Sequence, residues 1–168
     1  MSTATESRTT KFSTRIDIDA SGREELIGLL NQQLADLIDL RSQIKQAHWN
    51  VRGPRFFPLH ELFDELAAGL LEPIDNVAER VGILGGLARG TVRMSASNTR
   101  LTDFSESRTQ GLDVTDAVAD RIAYVAEKTR QAIDRAADIG DETTADPETP
   151  SPVLPKRPFP GLDFPPPH

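Results

Sequence analysis

Cysteine is absent from this chain of 168 residues, and its absence excludes disulfides, thiolate catalysis and zinc sites of the cysteine type. The chain also has no run approaching the roughly 18 apolar residues of a membrane-spanning helix, and its N-terminus lacks the apolar core of a secretory signal. It contains no internal repeat, no glycine-rich phosphate loop and no Ser-His-Asp pattern. We therefore expect a soluble protein of the cytoplasm.

The chain also has no excess of basic residues. The formal net charge is -7, and the three basic residues among residues 1–20 are balanced by three acidic ones. Because phosphate contacts need clustered Lys and Arg, we expect DNA binding to be weak or absent. An acidic surface suits the capture of hard cations, although it is also an ordinary feature of soluble proteins.

Apolar residues recur at helical spacing in three long segments, at about residues 21–51, 58–84 and 113–139. Ser21 and Glu24 have the spacing of a capping box, which predicts that the first helix begins at Ser21. The loop between the first two segments is short, so they should pack antiparallel as a hairpin. This pattern predicts an all-α fold built as a helical bundle.

The segments between and around these helices divide the chain. Pro73 lies inside the second segment and predicts a kink there, with a split into two helices as the alternative. Residues 87–112 form a long polar connection with room for a short helix. Proline accounts for nine of the last 22 residues. We therefore expect a flexible tail over residues 1–20, a domain over 21–146 and an extended Pro-rich tail over 147–168.

The residues that can carry chemistry lie near the hairpin and along the second helix. His48 and His60 flank the hairpin turn, so antiparallel packing should bring them side by side. Asp64 shares a helix face with His60, and Asp75 shares one with Glu79, because each pair is four residues apart. Taken singly, each pair could be an ordinary solvated face. Together they form a set of imidazole and carboxylate groups of the kind that binds metals.

Helix geometry decides how such a set could be used. His60 and Asp75 are fifteen residues apart, which corresponds to about 22 Å along one helix. They cannot bind the same ion within one chain. If two second helices packed antiparallel about a twofold axis, the histidine end of one would face the carboxylate end of the other, creating two equivalent sites. Such mixed ligands suit ferrous iron, and also zinc or manganese.

The order of these residues resembles the Dps family, the small ferritin-like proteins that protect DNA during starvation. The pattern includes KQAHWNVRGP at 45–54 and LHELFD at 59–64, and it resumes with Asp75, AER at 78–80 and the glycine pair at 85–86. The resemblance covers about residues 20–146. It implies a four-helix subunit, a hollow homo-oligomeric shell of twelve subunits and ferroxidase centres between twofold-related subunits.

The resemblance also implies roles for individual residues. The metal ligands and catalytic residues would be His48, His60 and Asp64 of one subunit with Asp75 and Glu79 of the other. Iron(II) would be oxidised there, preferably by hydrogen peroxide, and stored as a ferric mineral. Trp49 would lie beside the site, where it either intercepts stray oxidising equivalents or packs at the interface. The acidic residues in the region of the iron entry pores are Asp141, Glu142 and Asp146.

The chain departs from the family pattern in two places. Pro73 falls between the two ligand pairs, and the Pro-rich tail stands where the family has an amphipathic fourth helix after the position of Asp146. Two alternatives to the ferroxidase therefore stay open. One is a DNA-compacting protein with little iron chemistry, and the other is a chain that retains the ligands but does not assemble and has no activity.

Overall fold

A computed structural model describes residues 12–145, which form six helices. These are α1 (Ala20–Asn50), α2 (Phe56–Gly69), α3 (Leu71–Ile83), α4 (Val92–Asn98), α5 (Gly111–Ile139) and α6 (Glu142–Ala145). No strand occurs within residues 12–145, where the β-type pairing is limited to an isolated bridge between Arg52 and Gln110. The all-α fold is confirmed, and none of the helices in these residues is long and apolar enough to cross a membrane.

Helix α1 lies at the centre of the bundle, in contact with α2, α3, α4 and α5. Apolar residues recur along α1 at helical spacing and are almost completely buried. Burial of this apolar face favours packing of the other helices against α1. The core residues that α1 contributes include Leu26, Leu30, Leu34, Leu37, Leu40 and Ile44. They meet buried valines from α3 and α5, among them Val77, Val81, Val118 and Val125.

The start of α1 differs from the prediction. The N-cap is Asp19, whose carboxylate accepts hydrogen bonds from the Gly22 amide at 2.7 Å and the Ser21 hydroxyl at 2.6 Å. The hydrogen bond from the Gly22 amide is the main cause of the lowered pKa of Asp19. Ser21 therefore lies inside the first turn. Aspartate and serine are both favourable N-cap residues. The local backbone conformation places the side chain of Asp19, rather than that of Ser21, against the free amide of the first turn.

The second predicted helix, over 58–84, is divided into α2 and α3. The break is at Leu70, which keeps right-handed helical angles (φ -86°, ψ -10°). Pro73 explains the position, because it has no N–H with which to bond the carbonyl of Gly69 four residues earlier. The structure thus has the alternative of two helices rather than one helix with a kink, and α3 follows α2 after a single residue.

The long connection does contain a short helix, α4, whose N-cap is Thr91. An ion pair between Arg100 and the buried carboxylate of Asp36 connects the chain after α4 to α1. Asp36 is fully buried and accepts bonds from the backbone amide and the Nε of Arg100, both at 2.8 Å. This contact fixes the crossing segment against the centre of the bundle.

At the C-terminal end, α5 stops at Gly140, whose φ of 87° is in the left-handed region that favours glycine. The four-residue helix α6 follows and packs against α5. Of the two predicted tails, residues 1–11 and 147–168 lie outside the described residues. Residues 12–19 of the first tail are described, and there Ile16 and Ile18 pack against the core and the Phe12 amide donates to the carbonyl of Gly85 at 2.8 Å.

Candidate metal centre

The hairpin of α1 and α2 brings the two internal histidines into contact. His48 is in the last turn of α1, His60 is in the first turns of α2, and their rings stack with centroids 3.7 Å apart. His48 is 8% exposed and His60 is half-buried. The prediction that they lie side by side is confirmed.

Each of these rings is held by the backbone of the other. Nδ1 of His48 lies 2.7 Å from the carbonyl oxygen of His60, and Nδ1 of His60 lies 2.9 Å from the carbonyl oxygen of His48. A carbonyl can only accept, so both Nδ1 atoms donate, and in the neutral form each ring keeps its lone pair on Nε2. Histidines that bind metals are usually held in this way, with the second nitrogen donating to a carbonyl or carboxylate.

Asp64, one turn after His60, is exposed and forms an ion pair with Lys45 on α1, at a distance of 2.5 Å. The hydrogen bond from Lys45 is the largest cause of the lowered pKa of Asp64, with smaller charge effects from the two histidines. The carboxylate is therefore ionised at neutral pH. The ammonium of Lys45 also lies 5.7 Å from the ring centre of Trp49, which is 60% exposed.

Asp75 and Glu79 lie on α3 and are exposed. Within residues 12–145, neither side chain makes a hydrogen bond or an ion pair. The residue between them on the helix, Val77, is fully buried in the core. The two carboxylates therefore lie together on the outer side of α3, with their oxygens available to a cation or a partner.

The described residues of one chain do not assemble a complete metal site. No group of three or more His, Asp or Glu side chains within residues 12–145 is arranged to hold an ion. The fold pairs His48 with His60 and places Asp64 close by, but it does not bring Asp75 and Glu79 to them.

The three residues predicted for an iron pore are in different situations. Asp141 is 3% exposed, and its carboxylate accepts bonds from Arg80 and from the hydroxyl and amide of Thr144. Glu142 is exposed, whereas Asp146 lies outside the described residues. A buried and neutralised Asp141 does not need a pore to account for it. The pore role of Asp141, Glu142 and Asp146 stays a prediction.

Sequence reasoning missed Lys45 as the partner of Asp64. The signal was available, because Lys45 precedes His48 by three residues and so lies on the same face of α1. It missed Arg80 as the partner of Asp141 for a different reason. Those residues are 61 positions apart, and only the packing of α3 against the end of α5 brings them together.

Comparison with known proteins covers the helices that carry these residues. Residues 27–147 match the family model of a ferritin-like domain. A DNA protection during starvation protein of Agrobacterium fabrum is 41% identical over 133 residues, 79% of this chain and 82% of that protein. General stress protein 20U of Bacillus subtilis is 32% identical over 123 residues, 73% of this chain and 84% of that protein. The structure of DpsA14 from Streptomyces coelicolor superposes with a TM-score of 0.77 at 33% identity, covering 82% of each chain.

Proposed function

Because this chain belongs to the Dps family of ferritin-like proteins, we propose that it oxidises iron(II) at a dinuclear site shared by two subunits and stores the product as a ferric mineral. Iron storage and protection of DNA are the general activities that this family membership supports. The specific proposal concerns the ligands. One subunit supplies His48, His60 and Asp64, and its twofold partner supplies Asp75 and Glu79.

The observation that carries this proposal is the pair of hydrogen bonds between the two histidines and each other's carbonyl oxygens. They hold both rings with Nδ1 donating, so that Nε2 is the nitrogen available to a metal. Within residues 12–145 neither Nε2 atom makes a hydrogen bond, which a histidine pair with a purely structural role would not require. Imidazole nitrogen together with carboxylate oxygen is a donor set that suits iron(II) as the substrate.

The separation of the two proposed ligand groups supports sharing of the site between subunits. Asp75 and Glu79 are exposed on α3 and do not reach the histidines of their own chain. Two carboxylates that lie together without a partner favour a cation near them. An antiparallel, twofold arrangement of the α2–α3 segments would complete two sites at once, each with imidazole from one chain and carboxylate from the other.

The chemistry of the proposed reaction protects DNA without requiring contact with it. Two iron(II) ions each lose one electron, and hydrogen peroxide takes up both electrons and two protons as its O–O bond breaks to give two waters. The reaction consumes the two reagents that together produce hydroxyl radicals. In this proposal Asp64, Asp75 and Glu79 supply negative charge that favours the iron(III) product over iron(II).

A complementation experiment tests whether the site is shared. One variant carries His48→Ala with His60→Ala, the other carries Asp75→Ala with Glu79→Ala, and each alone should have no intact site. When the two variants are co-expressed and assemble at random, half of the dimers are mixed and each mixed dimer has one intact site of its two. We therefore expect peroxide-dependent iron(II) oxidation to recover to about a quarter of the unmodified rate.

The matched control co-expresses the single variants His48→Ala and His60→Ala. Both changes fall in the same half of the site, so every site in every dimer lacks a histidine and no recovery is expected. If the first mixture recovers no more activity than this control, the shared site is refuted. The mass of the unmodified protein in solution gives a second test, because a monomer would contain no complete site.

The proposed assembly is the twelve-subunit shell that the resemblance implies, with the mineral in its cavity. The described residues reach α6, after which the family pattern would continue into a fourth helix. The same mass measurement distinguishes a closed shell from the twofold dimer, which is the smallest unit that could act. The cytoplasmic location expected from the sequence stays a prediction.

A further inference from the structure

Helix α3 carries Asp75 and Glu79, the two carboxylates that one subunit would supply to its partner's site, and it is separated from α2 at Leu70. The break at Leu70 interrupts the helix, and Pro73 removes a hydrogen bond that would otherwise connect the two segments. Apolar burial of Val77 and Val81 holds α3 against the core. Apolar contacts are not directional, however, and they do not by themselves determine how far α3 rotates or slides.

One directional contact does act on the last turns of α3. Arg80, the residue after Glu79, donates from a terminal nitrogen to Asp141 at 2.6 Å and from Nε to the hydroxyl of Thr144 at 3.0 Å. The Thr144 hydroxyl in turn donates to Asp141, and the Thr144 amide lies 3.2 Å from the same carboxylate. We call these three side chains, Arg80, Asp141 and Thr144, the α3 tether.

The α3 tether is buried and its bonds are specific in geometry. Asp141 is 3% exposed and Thr144 is 1% exposed, and the Arg80 side chain is 11% exposed. A planar guanidinium that bonds two different acceptors holds its helix in one orientation, which a flexible ammonium cannot do. The other end of the α3 tether is firmly placed, because Asp141 follows the C-cap of α5 and its amide bonds the carbonyl of Ala136 at 3.0 Å.

We propose that Arg80 is a positioning residue for the carboxylate half of the iron site, and that it acts by holding α3 at a defined rotation against the end of α5. This inference rests on the proposed function, since it assumes that Asp75 and Glu79 bind metal. It gives Asp141 a role in orienting ligands. It also makes the geometry of the site depend on residues at the point where the family pattern would enter its fourth helix.

The test measures metal binding and stability separately. Cobalt(II) is the probe, because its visible absorption changes when it leaves water for imidazole and carboxylate ligands. In the Arg80→Lys variant the charge remains but the two-acceptor geometry is lost, and we expect cobalt affinity to fall about tenfold, as for the loss of other groups that orient ligands. Thr144→Val should weaken binding less, and Thr144→Ser, which keeps the hydroxyl, should bind like the unmodified protein.

The matched control is Arg100→Lys, which makes the same change in the buried ion pair with Asp36, away from α3. It should lower the free energy of unfolding without changing cobalt affinity. If Arg80→Lys also loses stability but binds cobalt like the unmodified protein, the α3 tether is only structural and the inference is overturned. The Thr144→Val and Thr144→Ser comparison decides the question if Arg80→Lys does not fold.

A further variant distinguishes failure of this inference from failure of the proposed function. His48→Ala should abolish the cobalt spectrum of the site in the otherwise unmodified chain. If that spectrum does not depend on His48, the proposed function fails and the inference fails with it. If it depends on His48 but not on Arg80, only the inference is overturned.

Discussion

The imidazole half of the proposed site, His48 and His60, and the carboxylate half, Asp75 and Glu79, are held in different ways. The imidazoles are stacked, bonded to each other's backbone and supported by the core of the α1–α2 hairpin. The carboxylates are exposed and have no bonding partner within residues 12–145. The first half is held by hydrogen bonds and packing within one chain, whereas the second half, in the proposed function, is completed by a neighbouring chain.

This difference has a physical reason. Neutral imidazoles can be buried at little cost once Nδ1 is bonded, but two adjacent carboxylates cannot leave water without a cation. A protein can therefore preorganise the nitrogen ligands within one chain. Two adjacent carboxylates have to stay at a surface until a metal ion brings the opposite charge.

The largest expected effect comes from removing the support of the imidazole half. Phe63 lies three residues after His60 and is 1% exposed, so Phe63→Ala should lower the free energy of unfolding by about 3–5 kcal/mol. Phe57, which is 69% exposed, is the control, and its replacement by alanine should change stability by less than about 0.5 kcal/mol. Urea unfolding at one fixed protein concentration measures both. Equal losses would mean that the hairpin core does not support the histidines as described.

The next effect should be shared by the two halves. His48→Ala and Asp75→Ala should each slow peroxide-dependent iron(II) oxidation by about 10–100-fold or more, since loss of a ligand costs at least as much as loss of a group that orients one. Glu72→Ala is the control, because Glu72 is exposed on the same helix as Asp75 but is not in the ligand set. Stopped-flow absorbance of the ferric product gives the rates. Unchanged rates in both ligand variants would refute the site.

The free energy of unfolding should distinguish variants of the imidazole half from variants of the carboxylate half, although both should lose oxidation activity. His48→Ala leaves a carbonyl without its donor and should cost about 1–3 kcal/mol, whereas Asp75→Ala should stay within about 0.5 kcal/mol. In His48→Asn the side-chain amide can donate in place of Nδ1 but offers no Nε2. This variant should recover stability and not oxidation. Recovery of oxidation by asparagine would contradict the assignment of Nε2 as the ligand.

The smallest effect concerns Lys45 and Asp64 in the metal-free protein. Lys45 lowers the pKa of Asp64 below its ordinary value of 3.8, so the stabilisation is present above that pH and is lost as pH falls through the lower pKa of the folded state. Lys45→Met should therefore lower the melting temperature slightly at pH 7, by progressively less as the pH falls below 3.8, and by less in high salt. The same substitution in an Asp64→Asn background should show no such pH dependence. A difference that grows in acid would contradict the ion pair.

The bounds of the long helices could be predicted closely from the sequence. The first was expected at 21–51 and is Ala20–Asn50, and the third was expected at 113–139 and is Gly111–Ile139. Both carry apolar periodicity over many turns, so the signal is strong. The N-cap at Asp19 and the break at Leu70 were harder to predict. Several neighbouring residues could act as the N-cap or end the helix, and the local backbone conformation determines which one does.

The contact between His48 and His60 could also be predicted, since a short loop between two long helices leaves one arrangement for the residues beside it. What could not be predicted was that each Nδ1 bonds the other histidine's carbonyl, which requires the helices to approach at one register. The burial of Asp141 under Arg80 could not be predicted either, because the two residues are 61 positions apart in the sequence.

The sequence by itself determined the all-α bundle, the two groups of candidate ligand residues and the distance between these groups along the helical segments. These features follow from the helical repeat and the spacing of residues along it, which are local properties. Only the tertiary structure decided which polar groups are satisfied. It bonded both imidazoles, buried Asp141 and left Asp75 and Glu79 exposed, because a hydrogen bond or ion pair forms only when distant segments come within about 3 Å of each other.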